Sequence, residues 1–245
     1  MRRFVLGVLL CWCWLPPLVW AVSACPSVLT MAYNSSWQPY IVVSDEHVTG
    51  TDVQFVEQLL AANHMRLKLV YTPEKRALQQ LQQGGIDLLF GASYTAERAA
   101  YAYFSKPYRV EKNTVVVHQQ TLAAYPGMTV KSAFMELAQR KLIGTYNPAG
   151  FYGDEFERLN QNPQVKARSV FVFEGNRRLE LVSSQRADYT IADQQAMEYE
   201  LSHQSVGKGL LLMPFSLNEA PIHLMFSKAT VTADCVAELN QHIQS

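Results

Sequence analysis

Short apolar runs alternate with amphipathic helical stretches along most of the chain, and this alternation confines the fold to α/β layers. Ser27 to Ala32, Leu67 to Tyr71 and Ile86 to Phe90 read as strands. Between them lie a helix whose stripe is Val53, Val56, Leu59 and Leu60, and a second burying Ala77, Leu78 and Leu81. Thr51 and Gln54 have the spacing of a capping box, and Thr72-Pro73 would put proline in the first turn of the second helix. Thr114 to Val117 is a further apolar run. From about Leu122 the alternation restarts. Ser132–Lys141, Phe151–Leu159, Arg177–Ser184 and Gln194–Leu201 read as helices; Leu142–Thr145, Val170–Phe173, Tyr189–Ile191, Leu210–Met213 and Ile222–Phe226 read as strands. Thr232 to Ile243 closes the chain as a helix with Cys235, Val236, Leu239 and Ile243 on one face.

A weak internal echo links the two halves. Leu78–Ser93 and Leu179–Gln194 each run helix, polar turn, Ile86-Asp87 or Ala187-Asp188, apolar strand, polar exit. Ligands of open α/β sheets sit at the carboxyl ends of strands. Two lobes presenting such ends to each other make a cleft that takes a small molecule and closes about a hinge.

The N-terminus reads as an export signal. Arg2 and Arg3 precede the uncharged stretch Phe4–Ala24, which Pro16-Pro17 interrupts and Val22-Ser23-Ala24 ends with small residues. The alternative, a membrane anchor, lacks basic stop-transfer residues. Removing residues 1–24 leaves 221 of 245 residues, and 19 Lys+Arg (21 less Arg2 and Arg3) against 21 Asp+Glu, a formal net charge of −2. With no basic stripe, nucleic acid is not an expected partner. Cys11 and Cys13 would leave with the signal. Cys25 then has two readings, a disulfide to Cys235 or lipidation at the lipobox-like Val22-Ser23-Ala24-Cys25. The disulfide is preferred, because an acyl group there would lie a residue or two from the first strand with no flexible tether.

The densest local pattern is QQGGIDLLFGASYTAERAAYAYFSKPYR, Gln82 to Arg109. Gly84 and Gly85 stop a helix, a buried strand follows, then a small turn of Gly91, Ala92 and Ser93, and a helix starts at Thr95 with Arg98 in its first turn. Cations are disfavoured at a helix N-terminus. Arg98 is therefore either set beside free amides to await an anion or turned to solvent against Glu97. The strand, GAS, Tyr94-Thr95, Glu97-Arg98, Phe104-Ser105 and Pro107-Tyr108 resemble the periplasmic solute-binding proteins of the polar amino-acid ABC transporter type, the family 3 extracellular solute-binding proteins.

That resemblance implies a two-lobed periplasmic binding protein fold of type II, each lobe a mixed sheet flanked by helices, joined by a two-strand hinge. The first lobe would comprise residues 25–112 and 215–245 and the second 113–214, with crossings near Arg109–Val115 and Pro214–Pro221. It implies that Arg98 clamps a ligand carboxylate through paired hydrogen bonds, supported by Ser93 and the backbone of Gly91. Asp193 would receive the ligand ammonium, and is equally placed to cap the helix that follows it. Trp37 and Tyr40, in the loop after the first strand, would pack against the ligand, and Arg76 is a further candidate. The segment GTYNPAGFYG departs from the family by offering Ala149 and Gly150 where hydroxyls are usual; Asn147, Phe151 and Tyr152 are the compensating candidates.

No catalytic pattern is found. The six histidines show no HExxH spacing, GxSxG and a phosphate loop are absent, and no metal or cofactor is expected. The expected function is binding of an amino acid or related small carboxylate by a periplasmic monomer that serves an inner-membrane ABC permease. Two alternatives stand beside it: an enzyme on the same scaffold resembling cyclohexadienyl dehydratases, with Asp193 or Glu219 as acid, and a sensory module acting in trans.

Overall fold

The computed structural model describes residues 25–34, 37–45, 47–203 and 207–244. The expected export signal, residues 1–24, lies outside them. Toward the N-terminus come β1 (Val28–Tyr33), the small hairpin β2 (Val42–Val43) and β3 (Val48–Thr49), α1 (Thr51–Ala62), β4 (Arg66–Tyr71), α2 (Glu74–Gln83), β5 (Leu88–Ser93), α3 (Ala96–Ala99) and β6 (Ala102–Phe104). The strand β7 (Arg109–His118) then crosses to a second group: α4 (Gln119–Ala124), a 3₁₀ turn at Pro126–Thr129, α5 (Lys131–Arg140), β8 (Gly144–Tyr146), α6 (Asp154–Asn160), α7 (Pro163–Arg168), β9 (Val170–Phe171), α8 (Gly175–Ser183), β10 (Tyr189–Asp193) and α9 (Gln194–Ser202). β11 (Leu210–Ser227) returns, and α10 (Ala233–Leu239) closes the chain.

The strands run β4-β1-β5-β11-β7-β10-β8-β9, with β6 also paired to β11. β1 is parallel to β4 and β5, and β8 is parallel to β10 and β9. β7 and β11 are antiparallel over most of their lengths and belong to both groups. One core gathers Leu29, Met31, Val53, Val56, Leu60, Leu88, Phe226 and Leu239. Another gathers Val115, Val117, Phe134, Tyr146, Phe156, Tyr189 and Ile191. Each fully buried side chain of this kind contributes about 2 kcal/mol. The result is a two-lobed mixed α/β fold crossed by two strands.

Several local expectations are corrected. Thr51 is already the first residue of α1 and makes no capping box; Gly50 caps it at φ 121°. The loop ahead supplies the acceptors instead, since Thr51 N donates to Pro39 O at 3.0 Å and Asp52 N to Tyr40 O at 3.1 Å. Any Cβ on residue 50 would stand 2.2 Å from that Tyr40 oxygen. Pro73 caps α2 rather than entering its first turn. Gly91, Ala92 and Ser93 are not a turn but the end of β5, because β11 pairs with them (His223 opposite Ala92, Ile222 opposite Ser93). Gly91, at φ 63°, absorbs the register shift there. Phe151 to Gly153 stay outside α6, and the two expected strands near the C-terminus are one strand of 18 residues.

The internal echo has a structural counterpart. Asp87 Oδ2 accepts from Thr30 N, and Asp188 Oδ2 accepts from Ile143 N, both at 2.7 Å. In each lobe a carboxylate just before a strand ties it to its neighbour. Cys25 and Cys235 form a disulfide across 210 residues, which joins the start of the fold to α10 and leaves no Cys25 thiol for acylation. Among the described residues no helix is long and apolar enough to cross a membrane.

Candidate functional site

A cavity of about 330 Å³ opens between the two cores. The first lobe supplies Trp37, Phe90, Gly91, Ser93 and Arg98. The crossing strand β7 supplies Glu111 and Asn113. The second lobe supplies Asn147, Ala149, Tyr152 and Asp193.

Arg98 reaches across. Its Nη1 donates to Ser93 O at 2.9 Å and its Nη2 to Ala149 O, in the opposite lobe, at 2.6 Å. Burial lowers its pKa from the usual value, while Tyr101, Glu97 and Glu111 oppose that fall. A guanidinium has five N–H donors, so two carbonyls leave capacity for an oxyanion. α3 is one turn, and the Arg98 amide itself donates to the cap, Thr95 Oγ1, at 3.2 Å. The alternative of an Arg98 turned to bulk solvent is not what the fold contains.

Asp193 ends β10 and caps α9, with Oδ1 accepting from Ala196 N at 2.7 Å. The same oxygen accepts from Tyr40 Oη at 2.9 Å, a bond between lobes. Tyr40 does not line the cavity, contrary to expectation; its ring lies behind, under the Arg109 guanidinium. Arg76 is likewise not a cavity residue. α2 turns Ala77 and Leu78 toward the cavity, which puts Arg76 on the exposed face. Tyr152 lines the site but its hydroxyl serves the loop, accepting from Asn147 N at 3.1 Å and lying 3.3 Å from Asn147 O. Asn147 Oδ1 accepts from Ala149 N at 2.9 Å. The 147–152 loop therefore binds itself through its amides and leaves the Ala149 carbonyl for Arg98.

Sequence reasoning missed Glu111 and Asn113 in the cavity wall and a charged cluster that lies behind it. Arg109 opens β7, and its guanidinium stands 3.9 Å from the Tyr40 ring centroid and 5.2 Å from that of Trp37. Its Nε is 3.5 Å from Asp52 Oδ2. Tyr108 Oη donates to that same carboxylate oxygen at 2.7 Å and accepts from Gly91 N at 3.1 Å. Desolvation opposes the charge of Arg109, but Tyr108, Asp52, Tyr40 and Glu111 outweigh it and raise its pKa. Asp52, 2 % exposed, is pushed up by burial and pulled back by Arg109. Glu111 and Asn113 follow on the same strand, joined by a 3.2 Å bond from Asn113 Nδ2 to Glu111 Oε2. Burial lifts the Glu111 carboxyl to about 7, with Arg109 opposing and Asp193 adding. The available signal was the spacing of charge along a strand: Arg109, Glu111 and Asn113 alternate, and alternation into a buried sheet carries polar groups inward. Among the described residues no group of three or more His, Cys, Asp or Glu could hold a metal ion.

Residues 29–141 match the model of the bacterial extracellular solute-binding proteins, family 3, which bears out the resemblance read from Gln82–Arg109. No curated protein matches the chain. Among solved structures, a histidine kinase sensor domain with similarity to periplasmic binding proteins superposes with a TM-score of 0.72 at 14% identity, covering 87% of each chain. An amino-acid ABC transporter substrate-binding protein from Streptococcus pneumoniae bound to L-arginine gives 0.71 at 18% identity, over 89% of this chain and 88% of that one. The holo arginine-binding protein from T. maritima gives 0.68 at 17% identity, over 89% of both. At these identities the likeness is one of fold.

Proposed function

We propose, on the premise that residues 29–141 are those of a family 3 bacterial extracellular solute-binding protein, that the chain binds an amino acid or related small carboxylate between its lobes, outside the cytoplasm. Residues 25–112 and 215–245 form one lobe of a monomer, 113–214 the other, and the closed form delivers its solute to an ABC transporter. The observation that carries this reading is Arg98, rooted in one lobe, lining the cavity and bonded to a carbonyl of the other. Those two carbonyls use two of the five guanidinium N–H donors. A solute carboxylate takes remaining donors in bonds charged on both sides, while the bond to Ala149 O still ties the lobes together. The cavity volume is at the lower end of the usual range for small-molecule sites, ~300–1,000 Å³, which suits an amino acid. Ser93 and Gly91 border the carboxylate, and Trp37 and Phe90 wall the remainder.

The test is titration calorimetry of residues 25–245 against the L-amino acids and small dicarboxylates. Arg98→Ala should weaken the detected affinity at least tenfold. Binding that is unchanged in the variant would overturn the clamp, and no binding across the panel would overturn the reading.

A further inference from the structure

Glu111 is a buried cavity carboxyl with few partners. It is 9 % exposed, lines the cavity where β7 crosses between the lobes, and stands opposite Ala220 of β11. Among the described residues one hydrogen bond reaches it, from the neutral amide of Asn113, and no cation lies within ion-pair distance. Arg109 pairs with Asp52 at 3.5 Å and lies over the Tyr40 ring, and among the described residues its guanidinium nitrogens make no hydrogen bond. On Asp193, Oδ1 serves both the α9 cap and the Tyr40 bond.

We propose that Glu111 is a specificity-determining carboxylate that receives a cationic nitrogen of the bound solute. This rests on the solute-binding reading above. The charges facing Glu111 are Arg109 on its own strand, Asp193 from β10, Asp52 from α1 and Arg98 from α3. Three carboxylates thus lie around one guanidinium, while Arg98 stands in the cavity wall. A buried carboxyl without a counter-ion holds its proton, and this one titrates at about 7. A solute cation supplies the missing partner and ionises it. Binding therefore releases a proton below pH 7, and affinity rises with pH through neutrality.

The experiment is calorimetry of residues 25–245 at pH 6 and pH 8, each in two buffers of different ionisation enthalpy. The probes are the twenty L-amino acids, agmatine, and the amine-free acids succinate and glutarate. The expected result is that probes with a cationic nitrogen bind, with most of one proton released at pH 6 and little at pH 8. Glu111→Gln, checked for an unchanged melt, should weaken them at least tenfold and abolish the proton release. The wild-type proton count stands even if that variant fails to fold. Cation-bearing probes that bind without proton release at pH 6, or binding confined to succinate and glutarate, overturns the role of Glu111 and leaves solute binding intact. No binding by any probe brings down both.

Discussion

Arg109→Met takes a positive charge out from between Asp52 and two aromatic rings while keeping much of the side-chain volume. Asp52 is 2 % exposed and the Arg109 side chain 14 % exposed, so the carboxylate left behind has no water to turn to. It keeps the Tyr108 hydroxyl but loses the cation 3.5 Å away. Removing one partner of a buried pair costs about 3–5 kcal/mol. For a domain of roughly 150–250 residues each kcal/mol is worth about 2–4 °C, so the melting temperature should fall by roughly 6–20 °C. Asp52→Asn alone should also destabilise, because it strands the guanidinium. The double variant removes both charges and leaves a side-chain amide oxygen able to accept from Tyr108, so it should lose far less than the sum of the singles. Urea unfolding of the four proteins, followed by far-ultraviolet circular dichroism, gives the coupling energy directly. A coupling of at least about 2 kcal/mol is expected. Additive effects, or an Arg109→Met variant within about 1 kcal/mol of wild type, would refute the pairing.

Glu111 predicts a pH dependence of stability. Its folded pKa is raised to about 7, so between roughly pH 4.5 and 7 the native state holds a proton that the unfolded chain has released. Stability from this group is complete below about pH 4.5 and lost as the pH climbs through 7, by up to ~3 kcal/mol. Glu111→Gln should flatten urea midpoints across that window; a midpoint profile identical to wild type would count against the shift. Gly91→Ala puts a Cβ 2.8 Å from Trp37 Cζ3 at a backbone of φ 63°. It should cost about 1–3 kcal/mol in thermal melts, the backbone alone accounting for about 1–2; an unchanged melt would show that the strand relaxes there. Cys25→Ser with Cys235→Ser opens a 210-residue loop. On chain entropy it should lower stability by about 5 kcal/mol, read from urea midpoints, and a midpoint insensitive to the pair would argue that the termini are held by α10 packing alone.

Much of the scaffold was legible because its strands and helices are marked by local periodicity. The stripe Val53, Val56, Leu59 and Leu60 is buried as its spacing requires, and Gly84 stops α2 in the left-handed region. Non-local decisions were not legible. Thr51-Asp52-Val53-Gln54 has the letters of a capping box, yet the carbonyls that fix the helix start come from Pro39 and Tyr40, which only the folded loop brings near. Gly91 to Ser93 look like a turn until β11 pairs with them. Arg98, Ser93, Gly91, Asp193, Trp37, Asn147 and Tyr152 do line one cavity, whereas Tyr40 and Arg76 do not. Arg109, Glu111 and Asp52 were passed over since each, read alone, is an ordinary surface charge. Their burial follows from the crossing of β7 between two cores, a property of the assembled sheet.

One wall of the cleft doubles as an optical gauge. Beyond residue 24 the chain contains a single tryptophan, Trp37, whose ring borders the cavity and stands 5.2 Å from the Arg109 cation and 4.8 Å from the Tyr40 ring. In residues 25–245 its emission therefore reports from one address, with no competing indole to subtract. Occupancy of the cleft can be followed in unlabelled protein by light alone.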